Sequence, residues 1–352
     1  MSNDKNSGRS WGQIAGNLAW PVISLAFIAV SLWMLQVKLE AEVSSDPVVR
    51  AALAEGAFWD DMRVVSDAII ARLMQIPWEG YLFSGLATLV AYAALAWYDR
   101  ISLMHLGRLK DVSWPYVCLS SFVAYALGHN VGASVLSGGA VRLRAYSAKG
   151  LAKTEVASLV AMGSFTFGYG VALLLGVVLL FAPELVAPLA RTVPLLATLE
   201  PGIRVIGGGL LCICLLYILG SLLRLKPLRI GRIEISYPSP GVVARQTIAG
   251  PIELLAAAAI VFFALPHSGN PGFPVVLGAF LISFTVGLVA QVPGGVGVME
   301  AVFLALMPDI GATSVMAALL VWRLLYLLIP LAMSGPIILA FEYNQLRRRG
   351  CG

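Results

Sequence analysis

The chain is 352 residues long, 59% hydrophobic and only 12% charged, with a formal net charge of +5. A soluble domain carries roughly twice that share of charge, so an ordinary water-soluble fold is excluded. The basic residues are scattered over connectors rather than gathered in the stripe a nucleic-acid binder needs, and four cysteines and three histidines give no metal or disulfide framework, Cys212 and Cys214 pointing to different sides of one helix.

A hydrocarbon core about 30 Å thick is crossed by about 20 residues of helix. Stretches of that kind occur at 20–36, 82–98, 156–181, 205–223, 252–265 and 312–340, the fifth drawing on its flank from Ala244 to reach full length. Two more apolar tracts, 114–142 and 273–307, are interrupted. GHNVGASVLSGGAVRLRAY (128–146) breaks the first with His129, Asn130 and glycines; QVPGGVGVME (291–300) breaks the second. Lipid offers no partner to exposed backbone groups, so the expected class is an all-α integral membrane protein with about six full transmembrane helices. It forms a single polytopic domain over 16–342, between tails at 1–15 and 343–352. No small-residue cleavage site follows the first span, so it is read as a retained helix rather than a signal peptide.

Loop charges assign sides, because Lys and Arg near span ends favour the cytoplasm. The tail with Lys5 and Arg9 is inside. The connector 37–77 carries seven acids against four bases and is outside; within it, apolar spacing over 58–73 predicts a helix lying on the membrane surface or packed on the bundle. Arg100, Arg108 and Lys110 return the chain inside, and so do Arg142, Arg144, Lys149 and Lys153. A single span at 114–142 would put the latter outside, whereas a re-entrant hairpin turning at 128–132 removes the conflict. The same reasoning makes 273–307 a hairpin from the opposite face, turning near 293–297. Together they predict two halves in an inverted arrangement, as in many transporters. Two ordinary kinked spans, with the charge rule broken once, remain the alternative.

Ionisable residues at membrane depth face the bundle interior or a wet cavity. In the first hairpin, Arg142 and Arg144 diverge by about 200° on a helix, yet both can reach a headgroup region, where guanidinium suits phosphate oxygens. A turn at Ser137, Gly138 and Gly139 would add backbone donors for an anion, and Tyr146 closes the motif. The arginines serve equally as lipid-headgroup anchors. His129 and Asn130 need partners at depth; His129 is either protonation-sensitive or a satisfied structural histidine.

In the second half, Glu253 opens a span after Gly250 and Pro251, where it either caps a helix or takes part in transport. Glu300 sits deeper, on the helix returning from the second turn. Arg323 has apolar neighbours on both sides and needs a partner, Glu300 or Glu253 being the natural choices. Such a pair either switches or only locks the fold. Tyr326 shares the face of Arg323. Around the second turn, Gly294, Gly295 and Gly297 free backbone donors for an anionic oxygen or for a neighbour such as Gln291.

The order GHNVG…SGGAVRLRAY, then VPGGVGVMEAVF, resembles the transmembrane domain of the lysylphosphatidylglycerol synthase/flippase family, the bacterial multiple-peptide-resistance factors among them, over roughly residues 11–349. The resemblance implies a lipid flippase in the bacterial inner membrane, moving an anionic or aminoacylated phospholipid headgroup between leaflets; the loop charges, with Arg347–Arg349 in the last tail, place both termini in the cytoplasm. The chain ends at Gly352, soon after its last span, and shows no tRNA- or nucleotide-binding motif. It is therefore expected to lack the synthase domain, to be no enzyme and to need no cofactor. Its expected partners are membrane lipids, with a separate synthase or further copies of itself as additional candidates. A membrane partner of a separately encoded synthase, or an integral-membrane headgroup enzyme, are the alternative functions.

Overall fold

The computed structural model describes residues 58–131, 134–187, 202–224, 228–230, 233–235, 238–290 and 295–350; the first expected span, 20–36, lies outside them. Helix α1 (Phe58–Gln75) packs on the bundle through Leu73, with Ile76 just beyond its end, which selects the packed alternative for the connector helix. Pro77 caps the start of α2 (Trp78–His105), a position where its missing N–H costs nothing. Then come α3 (Trp114–Val131), α4 (Ser134–Ser147), α5 (Lys153–Phe181) and α6 (Ile203–Leu222). A small antiparallel ribbon, β1 (Leu228–Ile230) with β2 (Ile233–Ile235), adds the one non-helical pairing among the described residues. Helices α7 (Pro240–Ala264), α8 (Phe273–Val289) and α9 (Val298–Leu306) follow. The last rod is α10 (Ala312–Trp322), a π-helical segment Arg323–Leu328, and α11 (Ile329–Gly350).

Five of these helices are long and apolar enough to cross a membrane: Trp78–His105, Lys153–Phe181, Ile203–Leu222, Pro240–Ala264 and Ala312–Phe341. Their outer faces carry large apolar side chains in the open, including Leu89, Val205, Ile213 and Leu216. Water would not tolerate such a surface on a monomer; lipid does. The protein is an all-α integral membrane protein.

The bundle centre is α2 against α7, running antiparallel. Ser84 near the start of α2 donates to the Ile260 carbonyl near the end of α7 (2.9 Å), and Tyr98 near the end of α2 reaches Gly250 in the middle of α7 (3.5 Å). Small residues allow this closeness. A Cβ on Gly80 would stand 2.7 Å from the Phe263 carbonyl oxygen, and one on Gly170 of α5 2.8 Å from the Gly250 backbone.

Both interrupted tracts fold as helical hairpins. In the first, Tyr116 at the mouth of α3 donates to the Ala145 carbonyl near the end of α4 (2.8 Å). Midway, a Cβ on Gly138 would lie 2.9 Å from the Ala124 oxygen. In the second, Gly287 of α8 faces Gly295. Gly295 (φ 64°) and Gly297 (φ 81°) break the helix there with left-handed backbone, which glycine adopts without a side-chain clash. Helix α9 has nine residues, about 14 Å of rise, too short to cross the core. Long helix, hairpin, long helix thus occurs twice, as α2–α5 and again as α7–α11, with the leading helices antiparallel.

Three local expectations are corrected. Gly128, His129 and Asn130 do not form a turn; α3 continues through them to Val131. Ser137, Gly138 and Gly139 lie inside α4, which reaches Ser147, and Gly138 is small because α3 passes against it. Glu253 does not open a span. It sits in the middle of α7, because the helix begins at Pro240 and runs through Pro251. Gly132, Gln291 and Gly294 lie outside the described residues.

Candidate functional site

Among the described residues three acids lie inside the bundle: Asp99 is 0% exposed, Glu253 1% and Glu300 6%. Bringing them there is costly, so what each of them meets is informative.

Asp99 sits near the end of α2 and meets α4. Arg142 Nε donates to both of its carboxylate oxygens (3.1 Å each), with Nη2 3.0 Å from Oδ1. Tyr146, one helical turn on, donates to Oδ2 (2.8 Å). The Arg142 guanidinium also lies 4.3 Å from the centre of the Tyr125 ring, a cation–π contact that strengthens when water is excluded. Arg144 projects from the other side of α4 and is exposed. The two arginines therefore divide: Arg142 is internal, 5% exposed, and Arg144 faces outward.

Glu300 sits in the first turn of α9 and uses both oxygens. Oε2 accepts from the Gly297 N–H (2.8 Å), closing the helix start, while Oε1 accepts from Arg323 Nε (2.6 Å). Of the two partners open to Arg323, Glu300 is the one it takes.

Glu253 is different. Tyr326 donates to its Oε1 (2.5 Å), the Tyr98 hydroxyl stands close beside the carboxylate, and Oε2 has no well-aligned hydrogen bond among the described residues. Tyr326 also stacks on His129 (5.4 Å between ring centres) and on Trp322 (5.4 Å), while Tyr92 donates to its carbonyl (3.0 Å). Asn130 donates to the Leu327 carbonyl (3.0 Å) as well as to Ala126, tying α3 to the π segment. The wider π turn carries both Arg323 and Tyr326, each directed at a different acid; such bulges recur at functional positions.

The structure thus joins Arg142, Tyr146, His129, Asn130, Glu253, Glu300, Arg323 and Tyr326 into one polar and aromatic layer between the hairpins. Gly295 and Gly297 shape its second turn. Gly138 serves helix contact, Ser137 and Gly139 flank it within α4, and Arg144 lies on the outward face. Sequence reasoning missed Asp99, because it was counted as the first residue of a connector. The signal was present: Ile101, Ser102, Leu103 and Met104 continue the apolar pattern beyond it. Tyr92, Tyr98, Tyr125 and Trp322 were missed too, being indistinguishable from core aromatics without their partners. Among the described residues no group of His, Cys, Asp and Glu could hold a metal ion. A cleft of about 220 Å³ between the end of α1 and the α7–α8 link, lined by Arg72, Gln75 and His267, touches none of this layer.

Fold and site define a polytopic helical membrane protein with a polar layer enclosed in the bundle. No family model matches the chain. It is 30% identical over 263 residues, 74% of this chain and 79% of the relative, to the uncharacterized protein slr0712 of Synechocystis. It is 28% identical over 264 residues, again 74% and 79%, to the inner membrane protein YbhN of Escherichia coli. A shorter match, 31% identical over 106 residues, covers 29% of this chain and 12% of a phosphatidylglycerol lysyltransferase from Staphylococcus haemolyticus. The chain belongs to the membrane-protein family of slr0712, and its likeness extends to YbhN and to part of a lipid-modifying enzyme.

Proposed function

We propose that the protein is a lipid translocator of the bacterial inner membrane that moves an anionic or aminoacylated phospholipid headgroup between leaflets. The observation that carries this reading is the polar layer itself: two carboxylate–arginine pairs buried in the bundle, one near the mouth of the first hairpin and one at the turn of the second. A bundle that only needed stability would be served as well by apolar packing. Ionisable residues at depth mark transport pathways, and transporter sites lie where inverted halves meet. The partial likeness to a phosphatidylglycerol lysyltransferase and the inner-membrane designation of YbhN support the lipid and the compartment.

In this reading Arg144, exposed beside the hairpin mouth, attracts the phosphate at the surface. The Asp99–Arg142 and Glu300–Arg323 pairs open and re-form as the headgroup passes, while the acyl chains stay in lipid. The test is leaflet exchange of a fluorescent phosphatidylglycerol in vesicles holding purified protein. Exchange should exceed that of protein-free vesicles and fall in Arg144→Gln and Glu300→Gln. Wild-type protein without exchange, or both variants at the wild-type rate, would overturn the reading.

The short span of the lysyltransferase match also favours a second reading, a membrane partner that recruits a separate synthase. Co-purification of a soluble aminoacyltransferase, together with no exchange by the protein alone, would establish it.

A further inference from the structure

The interior charges do not balance. Asp99, Glu253 and Glu300 face Arg142 and Arg323 among the described residues, and both arginines are committed to other acids: Arg142 to Asp99, Arg323 to Glu300. Glu253 has no cation among the described residues. An isolated carboxylate in a dry interior is far too costly to persist, so this group takes up a positive ion or a proton.

Its surroundings decide which. A metal ion needs several converging oxygen acceptors, whereas Glu253 is faced by phenols. Tyr326 on the π segment donates to Oε1. The Tyr98 hydroxyl of α2 stands close enough to bond the carboxylate, and Tyr92 of α2 and Tyr125 of α3 lie within electrostatic reach. His129 of α3 stacks on Tyr326 with its Nδ1 unpartnered. From α5 and α6, Tyr169 and Tyr217 are occupied further along α7 by Thr247 and Gln246. No titratable group of α8 or α10 meets it. Fixed charges flank these phenols: the Asp99–Arg142 pair, whose arginine lies over Tyr125, and the Glu300–Arg323 pair, whose arginine is one turn from Tyr326.

Depth matters as well. Glu253 lies thirteen residues from Pro240 and eleven from Ala264, about 20 and 17 Å of helix rise, which is midway through the span. From Oε1 the hydrogen bond leads to Tyr326, three residues from the Arg323 that holds Glu300.

We propose that Glu253 is a proton-binding site and that loading it is coupled to opening of the Glu300–Arg323 pair, so that a proton gradient drives the translocation. This rests on the translocator reading above. A proton from water forms an O–H bond at Oε2, neutralising the carboxylate; its departure to the opposite aqueous phase restores it. Nothing else is consumed.

Two measurements keep the proposal and that reading separate. Infrared spectroscopy of the purified protein, without lipid transport, should show a carboxyl C=O band that titrates with pH in the wild type and is missing in Glu253→Gln, an isosteric neutral replacement. No titrating band differing between the two would overturn the site, and so would a wild-type band displaced by sodium at fixed pH. In vesicles, one pH unit should sustain up to about tenfold leaflet asymmetry of the labelled lipid for one coupled proton. In Glu253→Gln the asymmetry should be lost; asymmetry equal to the wild type there, or none in the wild type, would overturn the coupling. Wild-type vesicles with no exchange at all would refute the translocator reading and the coupling with it, and leave the band to decide the site.

Discussion

Replacing Arg142 with methionine isolates what the Asp99 pair contributes. Methionine keeps much of the aliphatic stem but removes the two Nε contacts at 3.1 Å, the Nη2 contact at 3.0 Å and the guanidinium over Tyr125. Asp99 is then left fully buried, with the Tyr146 phenol at 2.8 Å as its remaining hydrogen bond. That bond exists before and after the change, so it offsets nothing. Stranding a buried charge in this way costs about 3–5 kcal/mol, and that is the loss expected for Arg142→Met. Removing both charges together, in Asp99→Asn with Arg142→Met, should return the protein to within about 1 kcal/mol of the wild type, because the stranded charge is gone. Detergent-denaturant titration of purified protein, followed by tryptophan fluorescence, gives both values. The reasoning is refuted if the single variant loses less than about 1 kcal/mol, or if the double variant is no more stable than the single one.

Gly138→Ala would press a Cβ to 2.9 Å from the Ala124 oxygen and should cost about 1–3 kcal/mol by overpacking. Gly139→Ala, whose nearest atom is a Val160 methyl 3.9 Å away, should be nearly neutral; the contrast is read in the same titration, and equal losses would contradict the hairpin packing. Gly297→Ala, at φ 81°, should cost about 1–2 kcal/mol through left-handed strain, seen as an earlier unfolding midpoint. In a cysteine-free background, Ser268→Cys, in the short link 266–272 from which the second hairpin enters at the outer face, should react with an impermeant maleimide from outside the cell, and Lys149→Cys only after the membrane is opened. The reverse pattern would invert the sidedness read from loop charges.

The fold was legible where a single physical demand dominates. Runs of apolar residues gave the five described spans, and the clash between loop charge and span count gave both hairpins, since no straight helix could satisfy both. Helix ends were less legible. Gly128–His129–Asn130 reads as a turn because glycine and asparagine disfavour helices in water. In the bundle Asn130 instead holds the Leu327 carbonyl, and His129 stacks on Tyr326. Gly250 and Pro251 misled in the same way about Glu253. Gly250 is there so that Gly170 can approach, and close packing then carries the helix past the proline.

The site shows the same division. Arg142 and Tyr146, four apart, announce a shared face, and Arg323 in an apolar tract announces a missing partner. Which acid answers each is a long-range fact: Asp99 lies 43 residues from Arg142, Glu300 23 residues from Arg323, and Glu253 73 residues from Tyr326. Sequence spacing supplies the donors; the packing of the first hairpin on α2, and of the last rod on α7 and the second hairpin, brings the acids to them. The same packing leaves Glu253 as the acid with no arginine opposite, because Arg323, three residues before Tyr326, is held by Glu300 on the second hairpin. An arginine shared by the two acids would leave the layer still one charge short, so the unpaired acid follows from the charge count as much as from any one contact.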